Sequence, residues 1–248
     1  MKPLPTNTNK HFLKNYCNSA IILCGGKGSR LGVVGKHTPK SLLKVNHKTL
    51  LEHHIATLEN YGISEVYFIT GFLSNKIEAF IETLNMKATT HIVKADELGT
   101  GGSIKRGADF VNRNKRFYFV VMADILCQPN LNVMLKKSLA TNAKINILGA
   151  QVHNSEEYGI IIHDNHGRIS EFKEKVKIDG WSTVDAGYYL FDKDVFKDKE
   201  YPEKFSIEYD LFPYIKDMFV TEHNGPWIDV GTISRLKQAR KIFDKDHD

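Results

Sequence analysis

The stretch Gly25-Gly26-Lys27-Gly28-Ser29-Arg30-Leu31, followed by Thr38-Pro39-Lys40, decides how this chain is interpreted. It comes just after Ala20-Ile21-Ile22-Leu23, an apolar run that predicts a buried strand. Glycines let backbone N–H groups approach anionic oxygens closely, and Arg30 and Lys40 add compensating positive charge. The stretch therefore predicts a phosphate-binding loop that begins where a strand ends.

The spacing within this loop separates it from two common phosphate-binding motifs. A Walker A motif places Ser or Thr after its lysine, whereas Lys27 is followed by Gly28. The dinucleotide fingerprint requires a glycine at the position of Leu31. The remaining pattern, GGxGxR followed by Pro39-Lys40, resembles the signature of the nucleotidyltransferases that make nucleotide sugars.

That resemblance implies roles for the residues of the loop. Arg30 would stabilise the departing pyrophosphate, and Lys40 would neutralise the triphosphate. Two positions depart from the family pattern, since Val33 stands where proline is usual and Gly35 where threonine is usual. The nucleotide contacts expected from this region are Leu23, Gly25, Gly26, Gly28 and Ser29.

Two aspartates are the expected metal ligands. Asp124 follows the apolar run Phe117–Met122 with only Ala123 between them, and ligands gather at the carboxyl ends of strands in open parallel sheets. Mg²⁺ prefers one or two carboxylates together with phosphate oxygens. The segment WIDVGT at 227–232 is similar to a late motif of the family, and the resemblance pairs its Asp229 with Asp124 as the Mg²⁺ ligands.

A second glycine-rich loop, LGTGG at 98–102, is similar to the family loop that packs on the nucleobase and ribose. The resemblance implies nucleotide contacts from Gly99, Thr100 and Gly101. The glycines permit close backbone approach, and the threonine offers a hydroxyl group.

The expected sugar-phosphate contacts lie later in the chain. The segment FKEK at 172–175 is similar to the family's FxEKP, which implies that Lys175 binds the sugar phosphate and Glu174 a sugar hydroxyl. Asp185 and Gly187 match the family's NAGxYxF strand, with aspartate where asparagine is usual. An ionised aspartate only accepts hydrogen bonds, so this departure predicts a difference in the sugar.

Three functions stay open at this point. The segment FSIEYDLFP at 205–213 resembles the heptose- and mannose-phosphate guanylyltransferase branch, which favours GTP and a GDP-sugar for surface polysaccharide. TPKSLL at 38–43 is closer to enzymes that use CTP on choline phosphate, so a CTP- or UTP-dependent enzyme acting on another small phosphate, such as an amino-sugar phosphate, is an alternative. A non-catalytic homologue that binds nucleotide sugar is another.

Composition bounds these possibilities. The 248 residues are 42% hydrophobic and 25% charged, which is typical of soluble globular proteins. The net charge of +5 comes from scattered basic residues with no arginine-rich or aromatic-interleaved patch, and small anionic ligands explain it as well as nucleic acid does. No apolar run approaches the roughly 20 residues of a membrane helix, and three cysteines form no disulfide framework. We expect a cytoplasmic protein with no membrane or nucleic-acid partner, and a homodimer is a further expectation.

Alternating strand and helix patterns predict an α/β fold, with a Rossmann-like, doubly wound, mostly parallel sheet and a small β-rich sugar-binding insertion. The expected sections are a nucleotide-binding core at 19–150, a sugar-phosphate section at 151–225, and a late strand and helix at 226–248. Residues 1–18 are expected to be a flexible extension, although Phe12, Leu13 and Tyr16 would allow a short docked helix. Apolar spacing from Ile207 to Met218 predicts a helix.

Overall fold

The computed structural model describes residues 7–26, 28–153 and 155–244. Its described strands are β1 (Cys17–Leu23), β2 (Lys44–Val45), β3 (Lys48–Thr49), β4 (Glu65–Thr70), β5 (Thr89–Lys94), β6 (Phe117–Met122), β7 (Ile125–Cys127), β8 (Ile145–Val152), β9 (Gly159–His163), β10 (Ile169–Glu174), β11 (Ser182–Asp192), β12 (Met218–His223) and β13 (Trp227–Asp229). The helices are α1 (Asn7–Tyr16), α2 (Val33–His37), α3 (Leu50–Asn60), α4 (Ser74–Glu82), α5 (Gly99–Ala108), α6 (Leu131–Thr141) and α7 (Ile233–Phe243). None of these helices combines the length and hydrophobicity that crossing a bilayer requires.

A nine-stranded mixed sheet forms the centre of the fold, in the order β10-β9-β11-β6-β1-β4-β5, and β8 pairs with both β11 and β12. The strands β6, β1, β4 and β5 are mutually parallel. Their carboxyl ends therefore meet at one edge, where the loops after β1 and β6 lie side by side. The predicted α/β fold with a mostly parallel sheet is confirmed.

The strands of the sugar-phosphate section extend this same sheet. β11 runs antiparallel to β6, with Tyr188 opposite Val121, and it also pairs with β8. β8 contains residue 150, at which the sequence predicts the boundary between the nucleotide-binding core and the sugar-phosphate section. The strands of the two predicted sections are thus joined by backbone hydrogen bonds in one sheet, and the division into sections stays a prediction.

Side-chain caps fix the starts of helices that support the site. Thr49 accepts a hydrogen bond from the backbone of Glu52, whose side chain bonds back to Thr49, in a capping box that begins α3. Thr232 accepts from the backbone N–H of Arg235, which begins α7 directly after β13. The final helix predicted from the sequence is therefore tied to the strand that carries Asp229.

Two expectations about local structure need correction. The segment 7–16 is the docked helix α1 rather than a flexible extension, because Leu13 is fully buried in the core; residues 1–6 lie outside the described part. The helix predicted from Ile207 to Met218 is wrong. A wide helical turn at Ile207–Leu211 passes into a 3₁₀ turn containing Pro213, which lacks an N–H group to continue a helix, and Met218 begins β12.

Candidate active site

A cavity of about 600 Å³ lies at the carboxyl ends of β1, β4, β5 and β6. This volume is within the range of small-molecule sites, which is roughly 300–1,000 Å³. The predicted residues that line it are Leu23, Gly25, Gly26, Lys40, Gly99, Thr100 and Asp124. The structure therefore brings most of the expected nucleotide contacts and one expected metal ligand to a single cavity.

The first glycine-rich loop has an open part and a packed part. A Cβ atom at Gly26 would meet no atom within 4 Å, so its backbone faces open space. Gly28 and Ser29 do not line the cavity. The Gly28 carbonyl accepts a hydrogen bond from Leu31 and would lie 2.2 Å from a Cβ at Gly35. This close approach explains why Gly35 replaces the threonine of the family pattern.

The second glycine-rich loop is fastened to the segment that begins at Phe205. The N–H of Gly101 donates to the Phe205 carbonyl at 2.9 Å, and a Cβ at Gly101 would lie 2.2 Å from the Phe205 ring. The Thr100 hydroxyl donates to Glu208 at 2.9 Å and accepts from the Ile207 N–H at 3.1 Å. Gly101 is thus packed away from the cavity, and the hydroxyl expected to serve the nucleotide is already engaged within the protein.

Asp124 and Asp229 meet because the short strands β7 and β13 pair. Ile125 lies opposite Asp229 in that pairing, and the Val230 N–H donates to the Asp124 carbonyl at 2.8 Å. The Asp124 carboxylate is 2.9 Å from the Lys40 ammonium group. Burial, and secondly the charge of Asp124, raise the pKa of Asp229.

The two carboxylates fit a hard divalent cation. Oδ2 of Asp229 accepts from Arg235 at 2.9 Å, whereas Oδ1 is buried and has no hydrogen-bond partner among the described residues. The described residues contain no group of three or more His, Cys, Asp and Glu side chains arranged for a metal. A cation here would take its other ligands from phosphate or water, which is the coordination that Mg²⁺ prefers.

An ion-pair chain joins Asp229 to Arg30. Arg235 contacts Oε1 of Glu157 at 2.9 Å, and Oε2 of Glu157 lies 3.2 Å from Arg30. Arg30 is also 3.8 Å from Asp229 and does not line the nucleotide cavity. We therefore find Arg30 beside the carboxylates, at the edge of the site. The sequence reasoning missed Glu157 and Arg235, which belong to no recognised motif.

The expected sugar-phosphate residues are held mostly by one another. The Lys175 ammonium group lies 2.8 Å from Glu174, and this hydrogen bond is the main cause that raises the pKa of Lys175. Lys175 is 63% exposed and has a φ of +54°, so its side chain leaves the strand end at an unusual angle. The amine is therefore available to solvent and to a phosphate group.

Asp185 makes two internal hydrogen bonds. Its carboxylate accepts from the Gly187 N–H at 2.8 Å and from the Tyr189 hydroxyl at 2.6 Å, and burial raises its pKa to about 7. Gly187 has a φ of +72°, and a Cβ there would lie 2.7 Å from Ile125. Both partners of Asp185 donate to it, so its two oxygens act as acceptors at the place where the family usually has asparagine.

The family model described as nucleotidyl transferase matches residues 19–245. The chain belongs to the nucleotidyl transferase family. It contains the two aspartates, the glycine-rich loops and the cations of the site within the matched residues.

The chain is similar to curated relatives that are named as sugar-phosphate guanylyltransferases. It is 34% identical over 192 residues to D-glycero-alpha-D-manno-heptose 1-phosphate guanylyltransferase from Campylobacter jejuni, which covers 76% of this chain and 82% of the relative. It is 28% identical over 222 residues to mannose-1-phosphate guanyltransferase from Saccharomyces cerevisiae, covering 85% of this chain and 60% of that protein. The chain thus spans about 60% of the length of several curated relatives that it matches.

Solved structures agree on the fold. The crystal structure of HddC from Yersinia pseudotuberculosis, complexed with GMP-PN, superposes with a TM-score of 0.79 at 23% identity. The superposition covers 90% of this chain and 98% of HddC. The fold of this chain is therefore one that crystal structures contain.

Proposed function

We propose that this protein transfers a nucleoside monophosphate from a nucleoside triphosphate to a sugar 1-phosphate, giving a nucleoside diphosphate sugar and pyrophosphate. The observation that carries the proposal is the meeting of Asp124 and Asp229 with Lys40 and Arg30 at the edge of a nucleotide-sized cavity. Two carboxylates and two cations at one place suit a reaction between two polyanions.

The reaction balances without a covalent enzyme intermediate. A phosphate oxygen of the sugar 1-phosphate attacks the α-phosphorus and forms the new P–O bond. The bond from the α-phosphorus to the oxygen that bridges to the β-phosphorus breaks, and pyrophosphate leaves with that electron pair. The attacking phosphate is already an anion, so catalysis consists mainly of positioning and charge neutralisation.

The chain's own residues divide this work. Lys40 lines the cavity and would bind triphosphate oxygens, while Lys175, exposed beside Glu174, would bind the attacking phosphate. Asp124 and Asp229 would hold Mg²⁺, which supplies positive charge to the phosphate oxygens when bound. Arg30, half-exposed at the outer edge, would stabilise the departing pyrophosphate.

The names of the relatives support GTP as donor and heptose or mannose 1-phosphate as acceptor. Use of the product for surface polysaccharide is part of the same proposal. A CTP- or UTP-dependent enzyme acting on choline phosphate or an amino-sugar phosphate is the second candidate, since the TPKSLL segment includes the cavity residues Lys40 and Ser41. A cytoplasmic location and a homodimer belong to the same proposal.

The direct test is a grid of GTP, ATP, CTP and UTP against a panel of sugar 1-phosphates plus choline phosphate, scored by pyrophosphate release with Mg²⁺ present. We expect the greatest kcat/KM with GTP and heptose or mannose 1-phosphate. Turnover confined to CTP and choline phosphate would show that both the proposed donor and the proposed acceptor are wrong. Nucleotide-sugar binding without turnover in any cell of the grid would instead identify a regulatory homologue.

A further inference from the structure

Arg235 lies in the first turn of α7 and contacts two carboxylates. We propose that Arg235 is a positioning residue: it holds one oxygen of Asp229 so that the other oxygen faces a divalent cation, and Glu157 holds Arg235 in place. This inference rests on the proposed function, because it concerns the same carboxylate site.

The geometry around Arg235 is tightly determined. Its Nη1 atom is 2.9 Å from Oδ2 of Asp229, and its Nη2 atom is 2.9 Å from Oε1 of Glu157. The guanidinium carbon lies 5.1 Å from the centre of the Tyr158 ring, and only 17% of the side chain is exposed. A planar guanidinium fork can serve two carboxylates at once, whereas the ammonium group of lysine has no such fork.

The two oxygens of Asp229 have different surroundings. Oδ2 has Arg235 as its hydrogen-bond partner, with Arg30 3.8 Å away. Oδ1 is buried and has no hydrogen-bond partner in the described part of the chain. A buried carboxylate oxygen without a partner costs free energy, and a bound cation would offset that cost. Arg235 fixes the orientation of this carboxylate through its hydrogen bond to Oδ2.

Glu157 connects the arrangement to Arg30. Its two oxygens contact different arginines, Arg235 at 2.9 Å and Arg30 at 3.2 Å. Glu157 is thus the carboxylate that bridges Arg30 and Arg235, and its removal would break that bridge. Glu157 therefore ties Arg30 to the guanidinium group that holds Asp229.

The charges of this cluster balance before any ligand binds. Arg30, Lys40 and Arg235 supply three positive charges, and Asp124, Asp229 and Glu157 supply three negative charges. Removing Arg235 would change both the net charge of the cluster and the orientation of the Asp229 carboxylate. A test of positioning must therefore distinguish how Asp229 ligates from how strongly a cation is attracted.

Electron paramagnetic resonance of Mn²⁺ makes that distinction. Each protein is mixed with Mn²⁺ and whichever of the four triphosphates the wild type binds most tightly, and the Mn²⁺ line shape is recorded. We expect Arg235→Met to give the line shape of Asp229→Asn, and Arg235→Lys to give a spectrum nearer to that of the wild type. Arg240→Met, on the same helix and bonded only to the Lys44 carbonyl among described contacts, is the matched control and should match the wild type.

Turnover supplies a second readout through a double-mutant cycle. Arg235→Met should lower kcat at least 30-fold in the wild-type background but less than about twofold in the Asp229→Asn background, because coupled residues are not additive. The KM for the acceptor should stay within twofold. Glu157→Gln, which keeps one acceptor oxygen, should lower kcat by an amount between those of Arg240→Met and Arg235→Met.

Specific results overturn the inference. A wild-type Mn²⁺ line shape in a folded Arg235→Met variant, or an equal loss of kcat in both backgrounds, would exclude positioning through Asp229. Wild-type kcat in Glu157→Gln would remove Glu157 from the arrangement. If no acceptor supports turnover, the proposed function fails, but the line shapes still decide the role of Arg235.

Discussion

The two sides of this site, an expected nucleotide side at the cavity and an expected acceptor side at Glu174 and Lys175, are built differently. The cavity is formed by parallel strand ends and glycine backbone, Gly26 faces open space within it, and its cation Lys40 is largely buried and paired with Asp124. On the expected acceptor side, Lys175 is 63% exposed and paired with its chain neighbour Glu174. The cavity is preformed by topology, whereas Lys175 would exchange Glu174 for a phosphate oxygen when a phosphate binds.

The largest expected effect comes from the carboxylates that both sides share. Asp124→Asn should lower kcat by about 10²–10³-fold with the fold retained, since it removes one of the two carboxylates that would hold Mg²⁺ at the reacting phosphates. Pyrophosphate release and circular dichroism measure the two outcomes. Asp109→Asn is the control, because Asp109 pairs only with Lys105 on an exposed helix surface among described contacts. Near-wild-type kcat in Asp124→Asn would contradict the proposed site.

A pair of lysine variants should separate the two sides. Lys40→Met should raise the KM for the triphosphate, and Lys175→Met the KM for the sugar 1-phosphate, each by about 10–100-fold, as for a lost charged hydrogen bond. Initial-rate kinetics with each substrate varied in turn measure both constants. Lys173→Met is the matched control, because Lys173 pairs with Glu171 at 3.1 Å. If both lysine variants changed the same KM, the division between the sides would be wrong.

Two glycines of the nucleotide side should respond in opposite ways. Gly101→Ala places a methyl group against the Phe205 ring and should lower the free energy of unfolding by about 1–3 kcal/mol. Gly26→Ala should leave stability unchanged but weaken triphosphate binding severalfold, because its methyl group occupies open space in the cavity. Chemical denaturation and calorimetric titration measure these effects. Equal stability losses would show that the first loop is packed rather than open.

The smallest effect concerns Asp185. Burial raises the pKa of its carboxyl group to about 7. The native state then holds a proton that the unfolded state releases near pH 4, so this group makes stability fall as pH rises from about 4 to 7. Asp185→Asn removes that dependence. The variant should melt about 2–4 °C above the wild type at pH 8 and show no such gain at pH 4. An equal difference at both pH values would exclude the raised pKa.

Much of the fold was predictable from local patterns. Apolar runs such as Phe117–Met122 identified the buried strands. The helix predicted after Ile207 failed for two reasons: Pro213, which the sequence displays, interrupts it, and the pairing of β12 with β8, which the sequence does not display, begins at Met218. Strand pairing between distant segments overrides local periodicity, and a single sequence does not display it.

The sequence by itself determined the chemistry that this chain offers: glycine-rich loops at strand ends, two candidate metal carboxylates, and cations at the spacing of a phosphate site. Only the tertiary structure decided which of these groups face the cavity. It turned Gly101 toward Phe205, engaged the Thr100 hydroxyl, and joined Glu157 to Arg235. The physical reason is that motifs specify residue types along the chain, whereas ion pairs and close backbone contacts form between segments that only folding brings together.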